Sequence, residues 1–556
     1  MANNNSVSTP QTLSCLSPSQ CTTDFSEQLA LPIPSEQNWL NLFPVAVQRI
    51  NHFLKLPMPL LFLNAQYWQT AKSIVTACNT SKNPLLALQD YDQERLFGRI
   101  NSLNKEHVST VPGEIFNYKD GILMLHISPL LVNPRLWFLL KTFLLTEQIP
   151  KSAAVNSDKL HSALPDSFSE KLKTKIILVA NRYQLDELTQ IDPDFSQINS
   201  LFTELTSDIK STPDNIKSLQ KYIHSLVAKN ALASLSNDAF KVLLEQLARQ
   251  CEHQHKLLFS PQFMESLLAY AHLLYVQDTN TQGFIDATHI EQALALQHKA
   301  QSNAQNFSDQ ALVEQQLKIQ LQGEMIGQIN GLSVVELMGY PTEFGEIFRI
   351  SASDMMGDGE IIDVERKVEL AGNIHAKSTL IVQGYLNHFF THVANFPFSC
   401  NVVFEQSYQE SDGDSASLAI LLAVTSCYAQ KPIAQNLFVT GALDQHGNVL
   451  AIGGINQKIE SITRLFSLGL LSEPVTVLMP KANEINLILS KETLNLISTQ
   501  KIKVYAIQHS LEAFPYAMSH SFEAVLEMIN KRILFLHKED DDEPPSFVTK
   551  CLNLLR

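Results

Sequence analysis

The chain reads DGDSASLAILLAV at residues 412–424 and FVTGALDQHGNVLAIGGINQK at residues 438–458. The first stretch places Ser415 at the corner between a polar segment and an apolar helix. The second places Lys458 at the start of another helix, behind a Gly-Gly turn. We interpret the two residues as a candidate nucleophile and its base, because a neutral lysine amine can take the proton of a serine hydroxyl.

Lys458 falls on the apolar face of the helix predicted over residues 455–468. Apolar residues recur at helical spacing at positions 455, 459, 462, 465 and 466, and position 458 lies on the same side. Lysine is rarely buried unless it is paired. Its side chain therefore either reaches the edge of the face or is buried, and burial would lower its pKa enough to make it a base.

Ser415 also has a purely structural interpretation. A serine at the start of a helix commonly accepts hydrogen bonds from backbone N–H groups as an N-cap. The functional alternative is that the positive end of the helix dipole, next to the serine, stabilises an oxyanion. The residues by themselves leave both interpretations open.

The N-terminal part of the chain predicts a parallel α/β sheet over residues 35–210. Three apolar runs, at residues 60–63, 121–125 and 175–179, alternate with helical patterns. Such runs are typical of parallel strands that helices cover on both faces. A polar, flexible leader is predicted at residues 1–34, a helical lid at 211–303 and a linker helix at 304–326.

This predicted sheet lacks the phosphate-binding loop of a nucleotide-hydrolysing enzyme. Such a loop needs glycines, whose backbone N–H groups wrap the phosphates, ahead of a Lys-Ser or Lys-Thr pair. Lys72 and Ser73 follow the first run, but no glycine occurs between Pro57 and Phe97. The phosphate cradle therefore cannot form.

Two further parts of a nucleotide site are missing. The second run ends in His126, without the carboxylates that would hold Mg²⁺, and no arginine occurs between Arg182 and Arg249 to serve as an arginine finger. Asn181, after the third run, is either a remnant of a sensor residue or a simple loop asparagine. We expect no ATP hydrolysis, no cofactor and no metal.

From residue 327 the pattern changes to a compact α+β domain that ends near Met518. Short strand-like runs alternate with glycine-containing turns, and hairpins are predicted at residues 357–359 and 446–448. Residues 519–556 contain one amphipathic helix, predicted over 522–536, and an acidic tail. The tail is most simply a solvated linker.

The C-terminal motifs resemble the proteolytic domain of the Lon protease family over residues 327–518. The resemblance rests on DGDSAS at 412–417, Thr440-Gly441 and GGINQKIE at 453–460. The GDSAS form is that of the archaeal-type and Lon-like branches. ELAGNIHAK at 369–377 and FEQSY at 404–408 further resemble the bacterial Lon-like subgroup.

The resemblance implies roles for four residues. Ser415 would be the nucleophile, Lys458 the general base, Thr440 the hydroxyl that orients the lysine, and Asp414 an acidic neighbour that modulates it. Structural interpretations stand beside two of these roles, because Thr440 also suits a strand and Asp414 a turn.

The resulting fold class is α/β and α+β multidomain. A degenerate AAA+-like α/β domain (35–210) and a helical lid would precede the Lon-type proteolytic domain. The long N-terminal substrate-binding domain of the bacterial enzyme is expected to be absent. The degenerate domain would act as a scaffold that forms the ring.

The amino-acid composition indicates which binding partners and which cellular compartment to expect. A net charge of −15 argues against nucleic acid, and seven scattered cysteines favour reduced thiols in the cytoplasm. Neither a signal peptide nor a membrane span is predicted. We expect an ATP-independent, homohexameric serine endopeptidase that degrades unfolded or misfolded polypeptides in protein quality control. The alternative is a catalytically silent or ATP-regulated assembly protein that retains the Lon fold.

Overall fold

The computed structural model describes residues 13–541, except 105–106, 151–170, 279–282, 369, 371, 392, 394–395 and 407–412. The chain divides into two compact units. The large unit comprises Met1–Ser26, Asn237–Leu257 and Asp286–Arg556, and the small unit comprises Glu27–Ser236 and Leu258–Ile285. In the described part of the chain, every helix is too short or too polar to cross a membrane.

The α-helices of the described residues span Ser26–Ala30, Pro44–Lys55, Trp68–Cys78, Gln93–Phe97, Glu114–Asn117, Ser128–Val132, Pro134–Thr146, Arg182–Ile191, Pro213–Lys229, Asn237–Gln250, Pro261–Gln277, Ala287–Gln301, Asn303–Val313, Val364–Lys367, Asn373–Phe389, Ser417–Ala429, Ile455–Ser467, Lys491–Ser498, Phe514–Met518 and Phe522–Asp541. The strands are β1 Leu60–Asn64, β2 Leu85–Leu88, β3 Gly98–Asn104, β4 His107–Pro112, β5 Ile122–His126, β6 Lys175–Ala180, β7 Ser200–Glu204, β8 Asp208–Lys210, β9 Lys256–Leu258, β10 Glu324–Met325, β11 Gln328–Val335, β12 Phe344–Met356, β13 Ile361–Asp363, β14 Phe398–Glu405, β15 Ile433–Ala434, β16 Leu437–Val439, β17 Ala442–Leu443, β18 Val449–Leu450, β19 Val475–Pro480 and β20 Ile502–Ile507.

The small unit is built on a five-stranded sheet in the order β2-β5-β6-β1-β7, and all its strand pairs are parallel. The three apolar runs of the sequence form β1, β5 and β6, which are neighbours in the sheet. Consecutive residues along each of these strands are buried, so both faces of the sheet are covered. The predicted parallel α/β architecture is confirmed.

The large unit is built on a seven-stranded mixed sheet in the order β13-β14-β12-β11-β16-β19-β20. The pairs β11–β12 and β12–β14 are antiparallel, whereas β11–β16, β16–β19 and β19–β20 are parallel. Helices pack against this sheet as the α+β prediction requires. We call Ser417–Ala429 the serine helix and Ile455–Ser467 the lysine helix, after the candidate residues on or beside them.

The serine helix and the lysine helix belong to cores on opposite faces of this sheet. Successive side chains of a strand point to opposite faces. Accordingly, Val439 and Leu478 pack in the core that contains the serine helix, whereas Phe438 and Val477 pack in the core that contains the lysine helix. The candidate residues can therefore meet only at an end of the central strands.

Of the two predicted hairpins, the one at residues 446–448 is confirmed. The flanking strands β17 and β18 pair antiparallel, and a carboxylate oxygen of Asp444 accepts from the N–H groups of His446 and Asn448. The hairpin predicted at residues 357–359 is wrong. In the sheet, β14 lies between β12 and β13 and pairs with both. The turn therefore does not join two adjacent antiparallel strands, as a hairpin requires.

The described part of the predicted leader is packed rather than flexible. Leu16 and Cys21 are buried in the core of the lysine helix, and the N–H of Leu16 donates to the carbonyl oxygen of Val504 at 2.9 Å. The prediction of a flexible leader at residues 1–34 is therefore wrong for residues 13–26. The segment is mostly polar, and its composition did not reveal that Leu16 and Cys21 pack in this core.

Two helices of the predicted lid, Asn237–Gln250 and Ala287–Gln301, belong to the large unit. The segment Asn237–Leu257 lies within the lid predicted at residues 211–303, yet it groups with the seven-stranded sheet rather than with the lid helices Pro213–Lys229 and Pro261–Gln277. We call its helix, Asn237–Gln250, the docking helix.

The C-terminal helix is longer than predicted. It spans Phe522–Asp541, and it buries Val525, Ile529 and Ile533 in the core of the serine helix. Their spacing of four residues is that of one helix face. The acidic tail beyond residue 541 lies outside the described residues.

Candidate active site

Ser415 lies in the turn that leads into the serine helix, at the end of β16. Its carbonyl oxygen accepts from the N–H of Gly441 at 2.8 Å, and the N–H of Leu418 donates back to the carbonyl oxygen of Gly441 at 3.0 Å. These two backbone bonds fix the turn to the residue that follows Thr440. The N-cap position of the helix is Ala416, with no side-chain cap, so the N-cap interpretation of Ser415 is wrong.

Thr440 follows the last residue of β16 and is fully buried. Its N–H continues the pairing with β19 by donating to the carbonyl oxygen of Leu478 at 3.1 Å. Its hydroxyl donates to the carbonyl oxygen of Ser415 at 3.3 Å. The threonine side chain is thus bonded to the turn that holds the candidate nucleophile.

Lys458 lies in the first turns of the lysine helix with only 3% of its surface exposed. Ile455, Ile459 and Ile462 of the same face are also buried, which confirms that the lysine lies on the apolar face. Its amine Nζ donates to the hydroxyl of Thr440 at 3.4 Å. Thr440 therefore contacts both Lys458 and the backbone of Ser415, and the three predicted residues converge at the carboxyl end of β16.

Gly454 makes the approach of the lysine helix to the sheet possible. It has a φ of 63°, in the left-handed region, and a Cβ at this position would lie 2.4 Å from Cγ2 of Val334 on β11. Only glycine meets both requirements without strain. This is the physical reason for the second glycine of the Gly-Gly turn noted in the sequence.

Burial lowers the pKa of Lys458 from 10.5 to about 8. The charged amine has lost the water that would stabilise it, and the negative charges of Asp414 and Glu252 recover only part of that stabilisation. A sizeable fraction of the amine is therefore neutral at slightly alkaline pH. A neutral amine that contacts the hydroxyl of Thr440, next to the turn of Ser415, can act as a general base.

Asp414 and Glu252 are the two carboxylates that act on Lys458. Asp414 precedes Ser415, and its carbonyl oxygen accepts from the N–H of Ser417, as expected of a turn residue. Glu252, near the end of the docking helix, was missed by the sequence reasoning. It lies 206 residues before Lys458 along the chain, and no pattern in either segment links the two.

The small unit has a cavity where a nucleotide would bind in a parallel α/β sheet. It measures about 540 Å³ and lies at the carboxyl ends of β1, β6 and β7, lined by residues that include Asn64, Tyr67 and Arg182. Lys72 and Ser73 are exposed and do not line it. Because the segment that lines it has no glycine, its backbone cannot wrap phosphates, and the residues present do not fit a nucleoside triphosphate.

Asn181, at the edge of the same cavity, has a structural role. Its side-chain oxygen accepts from the N–H of Gln184 at 2.9 Å, and the side chain of Gln184 accepts in return from the N–H of Asn181 at 3.0 Å. The pair forms a capping box at the start of the helix Arg182–Ile191. The capping box supports the simple loop interpretation rather than a sensor remnant.

Comparisons with known proteins agree with both parts of this architecture. Residues 81–205 match the family model of the LonB-like AAA domain, and residues 309–514 match that of the Lon protease (S16) C-terminal proteolytic domain. A Lon protease homolog of Escherichia coli (strain K12) is 33% identical over 429 residues, which cover 77% of this chain and 72% of that protein.

Further relatives extend the similarity to other bacteria and to archaea. A Lon protease homolog of Haemophilus influenzae (strain ATCC 51907 / DSM 11121 / KW20 / Rd) is 32% identical over 455 residues, or 80% of this chain and 73% of that protein. An archaeal Lon protease of Pyrococcus abyssi (strain GE5 / Orsay) is 28% identical over 214 residues, or 38% of this chain and 19% of that protein. With an AAA-like sheet, a Lon proteolytic domain and relatives aligned along most of its length, the chain belongs to the Lon protease family.

Proposed function

We propose that the chain is a serine endopeptidase in which Ser415 is the nucleophile and Lys458 is the general base. The observation that carries the proposal is the buried amine of Lys458, hydrogen-bonded to Thr440, whose hydroxyl is bonded to the turn of Ser415. A buried amine needs a hydrogen-bond partner, and here that partner is the hydroxyl bonded to the turn of the candidate nucleophile.

The proposed reaction proceeds through an ester of Ser415. Neutral Lys458 takes the hydroxyl proton while Oγ attacks the substrate carbonyl carbon, and the resulting ammonium gives the proton to the departing amine as the C–N bond breaks. Lys458 then takes a proton from water as the water oxygen attacks the ester carbonyl carbon. The C–O bond to Ser415 breaks, the carboxyl product leaves, and the proton returns to Oγ of Ser415. Thr440 holds the amine in place throughout.

The turn before the serine helix also suits the charge that develops during this reaction. The serine helix is 13 residues long and almost entirely buried, so its positive dipole end is poorly screened by water. A negative oxygen formed next to Ser415 would lie near this end. Electrostatic stabilisation of this kind commonly supplies a large part of the rate enhancement.

We further propose that cleavage proceeds without ATP hydrolysis, on unfolded or misfolded polypeptides. The support is the absence of glycine in the segment that lines the small-unit cavity, together with the exposed positions of Lys72 and Ser73. Without a motor to unfold substrates, the enzyme would act on chains that are already unfolded. A cytoplasmic homohexameric ring that serves protein quality control, with no nucleic-acid or membrane partner, fits this proposal.

A catalytically silent assembly protein is the weaker candidate. A charged lysine in a core destabilises the fold, and loss of function would remove the reason to keep it there. Lys458 is nevertheless buried and bonded to Thr440.

The proposal is tested by cleavage of fluorescein-labelled casein, an unfolded protein, with and without Mg-ATP. We expect the wild-type protein to release labelled peptides at the same rate in both conditions, because the small-unit cavity does not fit the nucleotide. The Ser415→Ala variant is the control for contaminating proteases. Stimulation by Mg-ATP would contradict the ATP-independent proposal and leave the assignment of Ser415 untouched.

A further inference from the structure

The docking helix is attached directly to the lysine helix by an ion pair. Arg249, in the last turn of the docking helix, donates from Nη1 to Oε1 of Glu460 at 2.7 Å and from Nη2 to Oε2 of the same carboxylate. Glu460 follows Lys458 by two residues. The pair is bidentate, and this geometry fixes the orientation of the guanidinium group as well as its distance from the carboxylate.

Arg249 and Glu460 also hold the bridging segment, residues 485–490, against the lysine helix. Nη1 of Arg249 donates to the carbonyl oxygen of Ile488 at 3.0 Å, and Oε1 of Glu460 accepts from the N–H of Ser490 at 2.8 Å. The exposed fractions of the two side chains are 29% and 18%. The pair is therefore largely removed from water and screened weakly by salt.

Asn456, two residues before Lys458, makes a second set of contacts with the bridging segment. Asn456 donates to the carbonyl oxygen of Asn486 at 2.9 Å and accepts from the N–H of Ile488 at 2.7 Å. Asn486 in turn donates to the carbonyl oxygen of Glu252, two residues after the docking helix, at 2.8 Å. The helix turn that carries Lys458 is thus anchored on both sides, at positions 456 and 460.

This anchoring explains how the position of Lys458 can be held. Its amine has one described hydrogen bond, the 3.4 Å contact with Thr440. A long contact of this kind cannot position the helix by itself. The polar connections nearest to Lys458 lie at Asn456 and Glu460, and Arg464, further along the helix, adds bonds to Asp309 at 3.1 Å and to the carbonyl oxygen of Gly345 at 2.6 Å.

We propose that Arg249 is a positioning residue for Lys458: by clamping Glu460, it holds the lysine helix where the amine reaches Thr440 and Ser415. The inference rests on the proposed function of Ser415 and Lys458. Arg249 contacts neither residue and acts only through the helix. The docking helix would therefore contribute to catalysis in the large unit.

The test compares Arg249→Ala with Lys241→Ala, a matched control on the same helix. Lys241 pairs with Asp24 at 2.9 Å, away from the lysine helix. Displacement of a catalytic group by about 1 Å can cost a hundredfold in rate, so we expect Arg249→Ala to lower kcat by roughly ten- to a hundredfold with little change in KM. Lys241→Ala is expected to keep the wild-type kcat.

Two further variants separate positioning from general loss of stability. Arg249→Lys keeps the charge but not the bidentate geometry, so its kcat is expected to lie between those of the wild type and Arg249→Ala. The double variant Arg249→Ala with Glu460→Ala is expected to lose less kcat than the product of the two single losses, because both substitutions remove the same ion pair. A wild-type kcat in Arg249→Ala, or fully multiplicative losses in the folded double variant, would overturn the proposal.

Hydrogen exchange makes the test independent of catalysis. Amides of Ile455–Ser467 are expected to exchange faster in Arg249→Ala than in the wild type, whereas those of Ser417–Ala429 are unchanged. If Arg249→Ala did not speed the exchange of Ile455–Ser467 more than that of Ser417–Ala429, the clamp would be refuted, even if the protein proved to have no peptidase activity. Conversely, selective exchange without Ser415-dependent cleavage would retain the clamp and refute the proposed function.

Discussion

Replacing Ser415 by alanine is expected to reduce cleavage of unfolded protein by roughly a thousandfold or more, because removal of a nucleophile leaves only binding and oxyanion stabilisation. Folding should be unaffected. The contacts that fix the turn, between Ser415 and Gly441 and between Leu418 and Gly441, are made by backbone atoms that the substitution keeps. The measurement is release of peptides from labelled casein at equal concentrations of folded protein.

Ser417→Ala is the matched control for this prediction. Ser417 lies two residues further along the same turn, and its hydroxyl donates to the carbonyl oxygen of Asp414. Loss of this bond is expected to weaken the turn slightly, by about 1 kcal/mol, and to leave most of the activity. If Ser417→Ala abolished cleavage while Ser415→Ala retained it, the nucleophile would have been assigned to the wrong serine.

Replacing Lys458 by methionine is expected to abolish cleavage and at the same time to stabilise the fold. Methionine fills a similar volume but has no amine to take the serine proton. Burial lowers the pKa of Lys458 from 10.5 to about 8, so the unfolded chain binds the proton more tightly. The charged lysine therefore lowers the free energy of unfolding by about 3 kcal/mol. This loss is fully present below pH 8 and disappears as the pH rises towards 10.5, above which the amine is neutral in both states.

The measurement is a pair of assays, casein cleavage and denaturant unfolding at pH 7. Lys458→Met should be inactive and more stable, and Lys458→Arg should be inactive and less stable, because arginine stays charged and is larger than the cavity it must fill. Activity in either variant would rule out Lys458 as the base. Loss of stability in Lys458→Met would contradict the cost assigned to burying its charge.

Periodicity in the sequence was sufficient to predict much of this architecture. The strands β1, β5 and β6 each contain at least four consecutive apolar residues because both faces of the sheet are covered, and that pattern is visible without a structure. The position of Lys458 on the apolar face likewise follows from the spacing of Ile455, Ile459 and Ile462, whereas the burial of its amine became clear only from the structure. Local patterns of this kind are decided by neighbours along the chain.

Contacts between distant segments could not be predicted in this way. The pairing of Arg249 with Glu460 joins residues 211 positions apart, and Glu252 acts on Lys458 from the same distant segment. The packing of Leu16 and Cys21 was hidden by the polar residues around them. The wrong hairpin at residues 357–359 has the same origin, because a glycine turn does not reveal which strand lies beside it.

The account depends most on Lys458 being the base for Ser415, and the pH dependence of Ser415-dependent cleavage tests this most directly. The quantity is kcat/KM for casein between pH 6 and pH 9.5, after subtraction of the Ser415→Ala rate. The predicted result is a rise with a midpoint near the lysine pKa of about 8, followed by a plateau once the amine is neutral. A rate that stayed constant across this range, or fell as the pH rose through 8, would contradict the assignment of Lys458 as general base.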